Sequence, residues 1–178
     1  MFNLIQFLTY FRIISAPIIF LLIVVLHSYG WALTLFIFAS STDYWDGYLA
    51  RKYNFESVLG EVLDPIADKI LITFLIIALI LELSSVFVGF VGGIILIREF
   101  WVAALRDFNA RQGRSEATMV TSLAKIKTTI QLIALSGYLL GLFLQNALMI
   151  FLSNFFLFLA LIITIQTGLS YTIATFKR

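Results

Sequence analysis

Long apolar runs separated by short polar intervals dominate the chain, and their lengths predict membrane-spanning helices, each of which needs roughly 20 apolar residues. The first run covers residues 9–26 and gives way to His27-Ser28-Tyr29-Gly30; the second begins at Trp31 and carries Asp43 and Asp46 toward its far end. RKYNFES, residues 51–57, connects it to a third run, which opens with Gly60, Glu61, Asp64, Pro65, Asp68 and Lys69 and is then almost wholly apolar through Leu81. The fourth covers residues 85–105. A polar interval follows over residues 107–125, with Gly113 and room for one short helix, and the remaining apolar sequence divides near Leu144-Gln145-Asn146-Ala147 into a fifth and a sixth run. At the N-terminus, MFNLIQFLTYFR sets Asn3, Gln6 and Thr9 at near-helical spacing among large apolar residues, which predicts an interfacial helix turning inward near Arg12. The pattern as a whole predicts an all-α integral membrane protein of six transmembrane helices with an N-terminal interfacial helix, a single domain over residues 1–178. The N-terminal segment has neither the basic start nor the small-residue cleavage site of a secretion signal, so it is expected to remain.

Composition sharpens this picture. Of 178 residues, 61% are hydrophobic and 12% charged, whereas soluble domains carry roughly a quarter of their residues as charges. With no cysteine, disulfides and thiolate ligands or nucleophiles are excluded. Twelve basic and ten acidic residues give a net charge of +2, but the basic residues are separated by apolar runs and form no tract suited to a nucleic acid, so none is expected as a partner. Six spans put both termini on one side. That side collects Arg12, Arg51, Lys52, Lys69, Arg98, Arg106, Arg111, Arg114, Lys125, Lys127, Lys177 and Arg178, which the positive-inside rule makes the cytoplasmic face.

The same side carries the candidate chemistry. On a helix of about 3.6 residues per turn, Asp43, Asp46, Gly47 and Ala50 form one stripe, and Gly60, Asp64 and Asp68 form another. Two antiparallel helices could turn all four carboxylates toward a shared volume. Carboxylates at the edge of hydrocarbon are costly unless a metal, protons, cations or water compensate them. Oxygen ligands without cysteine or clustered histidine favour Mg²⁺ or Mn²⁺; a proton or ion pathway and a polar interhelical lock are the other readings. The small residues Gly47, Ala50 and Gly60 let a bulky ligand approach the backbone, and Arg51 could meet a phosphate or snorkel to the interface. Arg12 either faces this pocket or anchors lipid headgroups. Arg98 and Arg106, about 12 Å apart along one helix, can share a face, with pairing to Glu99 as the ordinary alternative for Arg98. In KIKTTIQ, Lys127 and Gln131 lie one turn apart and can present a cation and an amide to one acceptor.

The complete spacing, Asp43-x2-Asp46-Gly47-x2-Ala50-Arg51-x8-Gly60-x3-Asp64-x3-Asp68, resembles the signature of the CDP-alcohol phosphatidyltransferase family at every specified position. LTYFRIISAP, IREFWVAALR and KIKTTIQ extend the resemblance beyond the central motif. It implies that fold and a bacterial inner-membrane location. It implies an Mg²⁺ or Mn²⁺ site at Asp43, Asp46, Asp64 and Asp68, with Asp68 as general base, and a CDP and diphosphate site at Asp43, Asp46, Gly47, Ala50, Arg51 and Gly60. The implied reaction transfers a phosphatidyl group from CDP-diacylglycerol to sn-glycerol 3-phosphate, giving phosphatidylglycerophosphate and CMP. Arg98, Arg106, Lys125, Lys127, Thr128 and Gln131 are the candidates for the acceptor phosphate. A homodimer is the implied assembly, in contact with membrane lipids. The alternatives are a same-family transferase using serine, inositol phosphate or phosphatidylglycerol as acceptor, and a divalent-cation transporter.

Overall fold

The computed structural model describes residues 2–53, 58–119 and 121–177, with side chains described outside 2–6, 43–53, 58–62 and 115. Six α-helices account for most of the described residues: α1 (Phe2–Val24), α2 (Tyr29–Tyr53), α3 (Val58–Leu83), α4 (Val86–Arg111), α5 (Ser122–Phe143) and α6 (Ala147–Phe176). A short 3-10 turn, Ser115–Thr118, lies between α4 and α5, where the polar interval left room for one. Among the described residues, four stretches are long and apolar enough to cross a membrane: Phe7–Val24, Val86–Arg111, Glu116–Phe143 and Ala147–Phe176. The chain is an all-α membrane protein.

One expectation is corrected. α1 is continuous from Phe2 to Val24, so the interfacial helix expected ahead of Arg12 and the first span are a single element. No glycine or proline interrupts residues 2–16. Moreover, of the polar stripe that suggested an interface, Thr9 is buried with a carboxylate partner on α3, as is Arg12, where the inward turn was expected.

The connections follow from how helices terminate. Past the ends of α1, α3, α4 and α5 stand His27 (φ 47°), Ser84 (φ 46°), Gly113 (φ 69°) and Gln145 (φ 50°), each in the left-handed region that reverses a chain out of a helix. Beyond α4, the amide of Arg114 donates to the Asn109 carbonyl at 2.8 Å and that of Gly113 to Ala110 at 3.1 Å; beyond α5, Asn146 donates to Gly141 at 2.9 Å. These bonds satisfy carbonyls that the helix itself leaves without a donor.

The chain divides into two compact units, residues 1–85 with 139–146 and residues 86–138 with 147–178. In the first, α1 packs on α2 and α3 around Ala16, Ile19, Ile23, Phe36, Leu75 and Leu79. The rings of Phe11 and Phe38 meet edge to face at 5.5 Å. In the second, α4 and α6 pack together. Hydrogen bonds join them: Trp101 Nε1 donates to Thr172 Oγ1 at 2.9 Å, and Asn109 Nδ2 to the Leu105 carbonyl at 2.9 Å and Thr175 Oγ1 at 2.8 Å. Large apolar side chains such as Phe90, Ile97, Phe151 and Phe155 remain exposed, as expected of surfaces whose solvent is lipid.

Candidate active site

Asp64 and Asp68 lie one turn apart on α3, so a single group can reach both. That group is Arg12 of α1. Its NH1 donates to Asp68 Oδ1 at 2.6 Å and its NH2 to Asp64 Oδ1 at 3.1 Å, while Thr9 Oγ1 donates to the same Asp64 oxygen at 2.7 Å. The arginine is wholly buried, whereas the two carboxylates keep 32% and 47% of their side-chain surface open. A planar guanidinium has two parallel donor edges and spans such a pair as no lysine can. Of the two readings left open for Arg12, the structure turns it toward the carboxylates of Asp64 and Asp68 rather than toward lipid headgroups.

The geometry suits a hard cation in one respect. Two carboxylates, held side by side from behind and open in front, offer oxygen donors of the kind Mg²⁺ and Mn²⁺ prefer. Asp43, Asp46, Gly47, Ala50 and Arg51 belong to α2 and Gly60 to α3, but their side chains lie outside the described residues, as does that of Glu61. Among the described residues no group of three or more acidic, histidine or cysteine side chains is gathered.

The second unit assembles a cationic cluster. Arg98 on α4 is buried; its NH2 donates to Thr167 Oγ1 at 2.6 Å and its NH1 to Glu99 Oε1 at 3.2 Å. Lys127 of α5, also buried, donates to the same Glu99 oxygen. Arg98 Nε finds no hydrogen-bond partner among the described residues although it is shut off from solvent. Gly168 allows this packing, because a Cβ there would stand 3.1 Å from Arg98 Cγ. The guanidinium carbons of Arg98 and Arg106 lie 5.7 and 5.8 Å from the centre of the Tyr171 ring.

The predicted acceptor residues therefore separate. Arg98, Arg106 and Lys127 converge, and Gln131 is buried one turn beyond Lys127 on α5. Lys125 and Thr128 are exposed, and the Thr128 hydroxyl donates to the Ala124 carbonyl at 3.1 Å. Residues two apart on a helix point roughly 200° apart, which parts Lys125 from Lys127. The pairing of Arg98 with Glu99 is present, yet the same carboxylate also engages Lys127, so it joins two cations. Sequence reasoning placed Thr9 only in an interfacial stripe and singled out neither Thr167 nor Tyr171. Hydroxyl and aromatic residues in an apolar helix usually pack, and only the facing helix reveals which of them meet a charge.

Comparison with known proteins agrees with the motif. The family profile for CDP-alcohol phosphatidyltransferase matches residues 2–166. Over 172 residues the chain is 40% identical to the CDP-diacylglycerol–glycerol-3-phosphate 3-phosphatidyltransferase of Rickettsia bellii, covering 95% of this chain and 93% of that protein. The protein of the same name from Salmonella choleraesuis is 34% identical over 142 residues, 78% of this chain and 77% of its own length. With the profile spanning nearly the whole sequence and these relatives aligned over most of theirs, the chain belongs to the CDP-alcohol phosphatidyltransferase family.

Proposed function

We infer that this transferase moves a phosphatidyl group from CDP-diacylglycerol to sn-glycerol 3-phosphate, releasing CMP and forming phosphatidylglycerophosphate. The observation that carries the reading is the carboxylate pair of Asp64 and Asp68, bridged by buried Arg12 within a motif whose every specified position is filled. The names of the relatives favour this acceptor over serine, inositol phosphate or phosphatidylglycerol.

In the proposed assignment, Asp43, Asp46, Asp64 and Asp68 hold Mg²⁺ or Mn²⁺, and Asp43, Asp46, Gly47, Ala50, Arg51 and Gly60 receive the CDP and diphosphate. A bound divalent ion would polarise the phosphoryl oxygens and neutralise charge developing on CMP. Asp68 takes the proton from the acceptor hydroxyl as that oxygen attacks the phosphorus of the phosphatidyl group and the bond to CMP breaks. Arg12 orients Asp68 for this step. Arg98, Arg106 and Lys127 bind the acceptor phosphate, with Gln131 beside them; Lys125, exposed on α5, contributes at most to the local potential, and the Thr128 hydroxyl is engaged by the Ala124 carbonyl. Three cations against the Glu99 carboxylate leave a net charge of +2, which complements a phosphate dianion better than a neutral alcohol or a zwitterion.

The whole chain acts as one catalytic membrane domain of six spans. α2 and α3, with 25 and 26 residues, are about 37–39 Å long and sufficient to complete that count. The bacterial relatives and the distribution of basic residues support a place in the inner membrane, with both termini and the site on the cytoplasmic side. The assembly is a homodimer.

Reconstitution with CDP-diacylglycerol, glycerol 3-phosphate and Mg²⁺ or Mn²⁺ tests the reading. CMP release and phosphatidylglycerophosphate are expected in equal amounts, and chelation of the metal should lower the rate at least 100-fold, reversibly, since it removes the Lewis acid from a phosphoryl transfer. A different lipid product with one of the other acceptors would reassign the substrate. Cation flux without nucleotide release would make the protein a transporter.

A further inference from the structure

We propose that Tyr171 is a specificity-determining positioning residue, whose ring gathers Arg98 and Arg106 into one receptor for the acceptor phosphate. The proposal rests on the reading that these arginines bind that phosphate. Tyr171 is 4% exposed and is packed on α4 beside Val102 and Leu105, so its ring is fixed. Two like-charged guanidinium groups eight residues apart would repel and diverge if left alone. Here both cationic centres lie within cation–π range of one ring, at 5.7 and 5.8 Å. The electron-rich ring attracts each of them and offsets their mutual repulsion without adding a negative charge to that of Glu99, which Arg98 already shares with Lys127. The net charge of +2 is thereby kept for a ligand, whereas a second carboxylate in place of the ring would lower it to +1.

One further observation points the receptor at an anion, and another ties it to α5. The Nε–H of Arg98 is buried and makes no hydrogen bond among the described residues, a donor without an acceptor beside two other cations. In addition, the amide of Thr121 donates to the Tyr171 hydroxyl at 3.2 Å, which fastens the chain just ahead of α5 to the ring that supports the arginines. Lys127 lies one and a half turns farther along that helix and shares Glu99 with Arg98. One aromatic side chain thus sets the positions of the two arginines and the entry to the helix that carries the lysine. Because the cations are ordered before the substrate arrives, less freedom is lost on binding.

Steady-state kinetics of the full-length protein in lipid, with inorganic phosphate as a competitive probe, tests this. Tyr171→Leu is expected to raise the KM for glycerol 3-phosphate and the inhibition constant of phosphate about tenfold each, with the KM for CDP-diacylglycerol changed less than twofold. Tyr171→Phe keeps the ring but loses the hydroxyl's contacts with Thr121 and Arg106, and two- to threefold is expected for both acceptor-side constants. An equal rise in donor and acceptor KM would show a merely structural role and overturn the proposal. A tenfold effect of Y171F would overturn it too, and Y171F keeps the test open should Y171L fail to fold. Arg106→Gln separates this inference from the one beneath it. If R106Q leaves both acceptor-side constants unchanged, the acceptor-phosphate assignment itself falls; if R106Q raises them and Y171L does not, only the role of Tyr171 falls. In the R106Q background the effect of Y171L should shrink, since one of the two cations that the ring holds has gone.

Discussion

Asp68→Asn is expected to lower turnover by about 10²- to 10⁴-fold at saturating Mg²⁺, the range that a positioned general base contributes. Asparagine has the same shape, and its Oδ1 can still accept from Arg12 NH1, the contact now made at 2.6 Å. The buried guanidinium also retains a charged partner in Asp64 at 3.1 Å. The fold should therefore survive while the proton acceptor is lost. Saturating metal is essential to the measurement, because Asp68 is proposed both as base and as ligand. A loss that vanishes as Mg²⁺ is raised would make it a ligand alone, and wild-type turnover at limiting as well as saturating Mg²⁺, with chemistry limiting, would remove it from both roles. Asp64→Asn supplies the contrast. It too preserves the hydrogen bonds from Thr9 and Arg12, and its principal effect is expected on the metal concentration needed for half-maximal rate.

The parts of this molecule that could be read from its sequence are those governed by short-range periodicity. The i, i+4 spacing of Asp64 and Asp68 announces a shared face, and the guanidinium that touches both carboxylates accords with it. The break at residues 144–146 was equally legible, since Gln145 and Asn146 interrupt an apolar run and supply the chain reversal between α5 and α6. What failed to emerge depended on which helix faces another. A lone arginine eleven residues into an apolar segment satisfies both a snorkelling and a pocket-facing reading, and only the packing of α1 on α3 decides between them. A similar ambiguity made an interfacial helix of the N-terminus: in the stripe of Asn3, Gln6 and Thr9, Thr9 looks misplaced in a span until its carboxylate partner is known. In α6, Thr167 and Tyr171 resemble ordinary packing residues because nothing in their own helix is charged nearby. Lys125 and Lys127 are a different case, since helical geometry alone sets them on separate faces.

Arg12→Met should cost about 2–3 kcal/mol of stability, and a divalent cation should recover part of that loss. Removing one partner of a buried ion pair typically costs about 3–5 kcal/mol; the lower figure applies here because Asp64 and Asp68 are partly open, and water can take up some of the charge that the guanidinium leaves behind. What remains is repulsion between two carboxylates one helical turn apart, together with the Thr9 hydroxyl still bound to one of them. A ligand that binds only the folded state stabilises it by mass action, and it does so more strongly where the empty site is more unfavourable. The increase in unfolding temperature produced by Mn²⁺ should consequently be larger in R12M than in the unsubstituted protein, although R12M starts lower. Arg12→Lys discriminates charge from shape. Its ammonium restores one positive charge but lacks the fork that reaches both Oδ1 atoms, so its stability should fall between the other two. Thermal unfolding in detergent, with and without Mn²⁺, measures all three proteins. If Mn²⁺ raised the unfolding temperature of R12M no more than that of the parent, the carboxylates that Arg12 holds together would not be the ones that bind the metal.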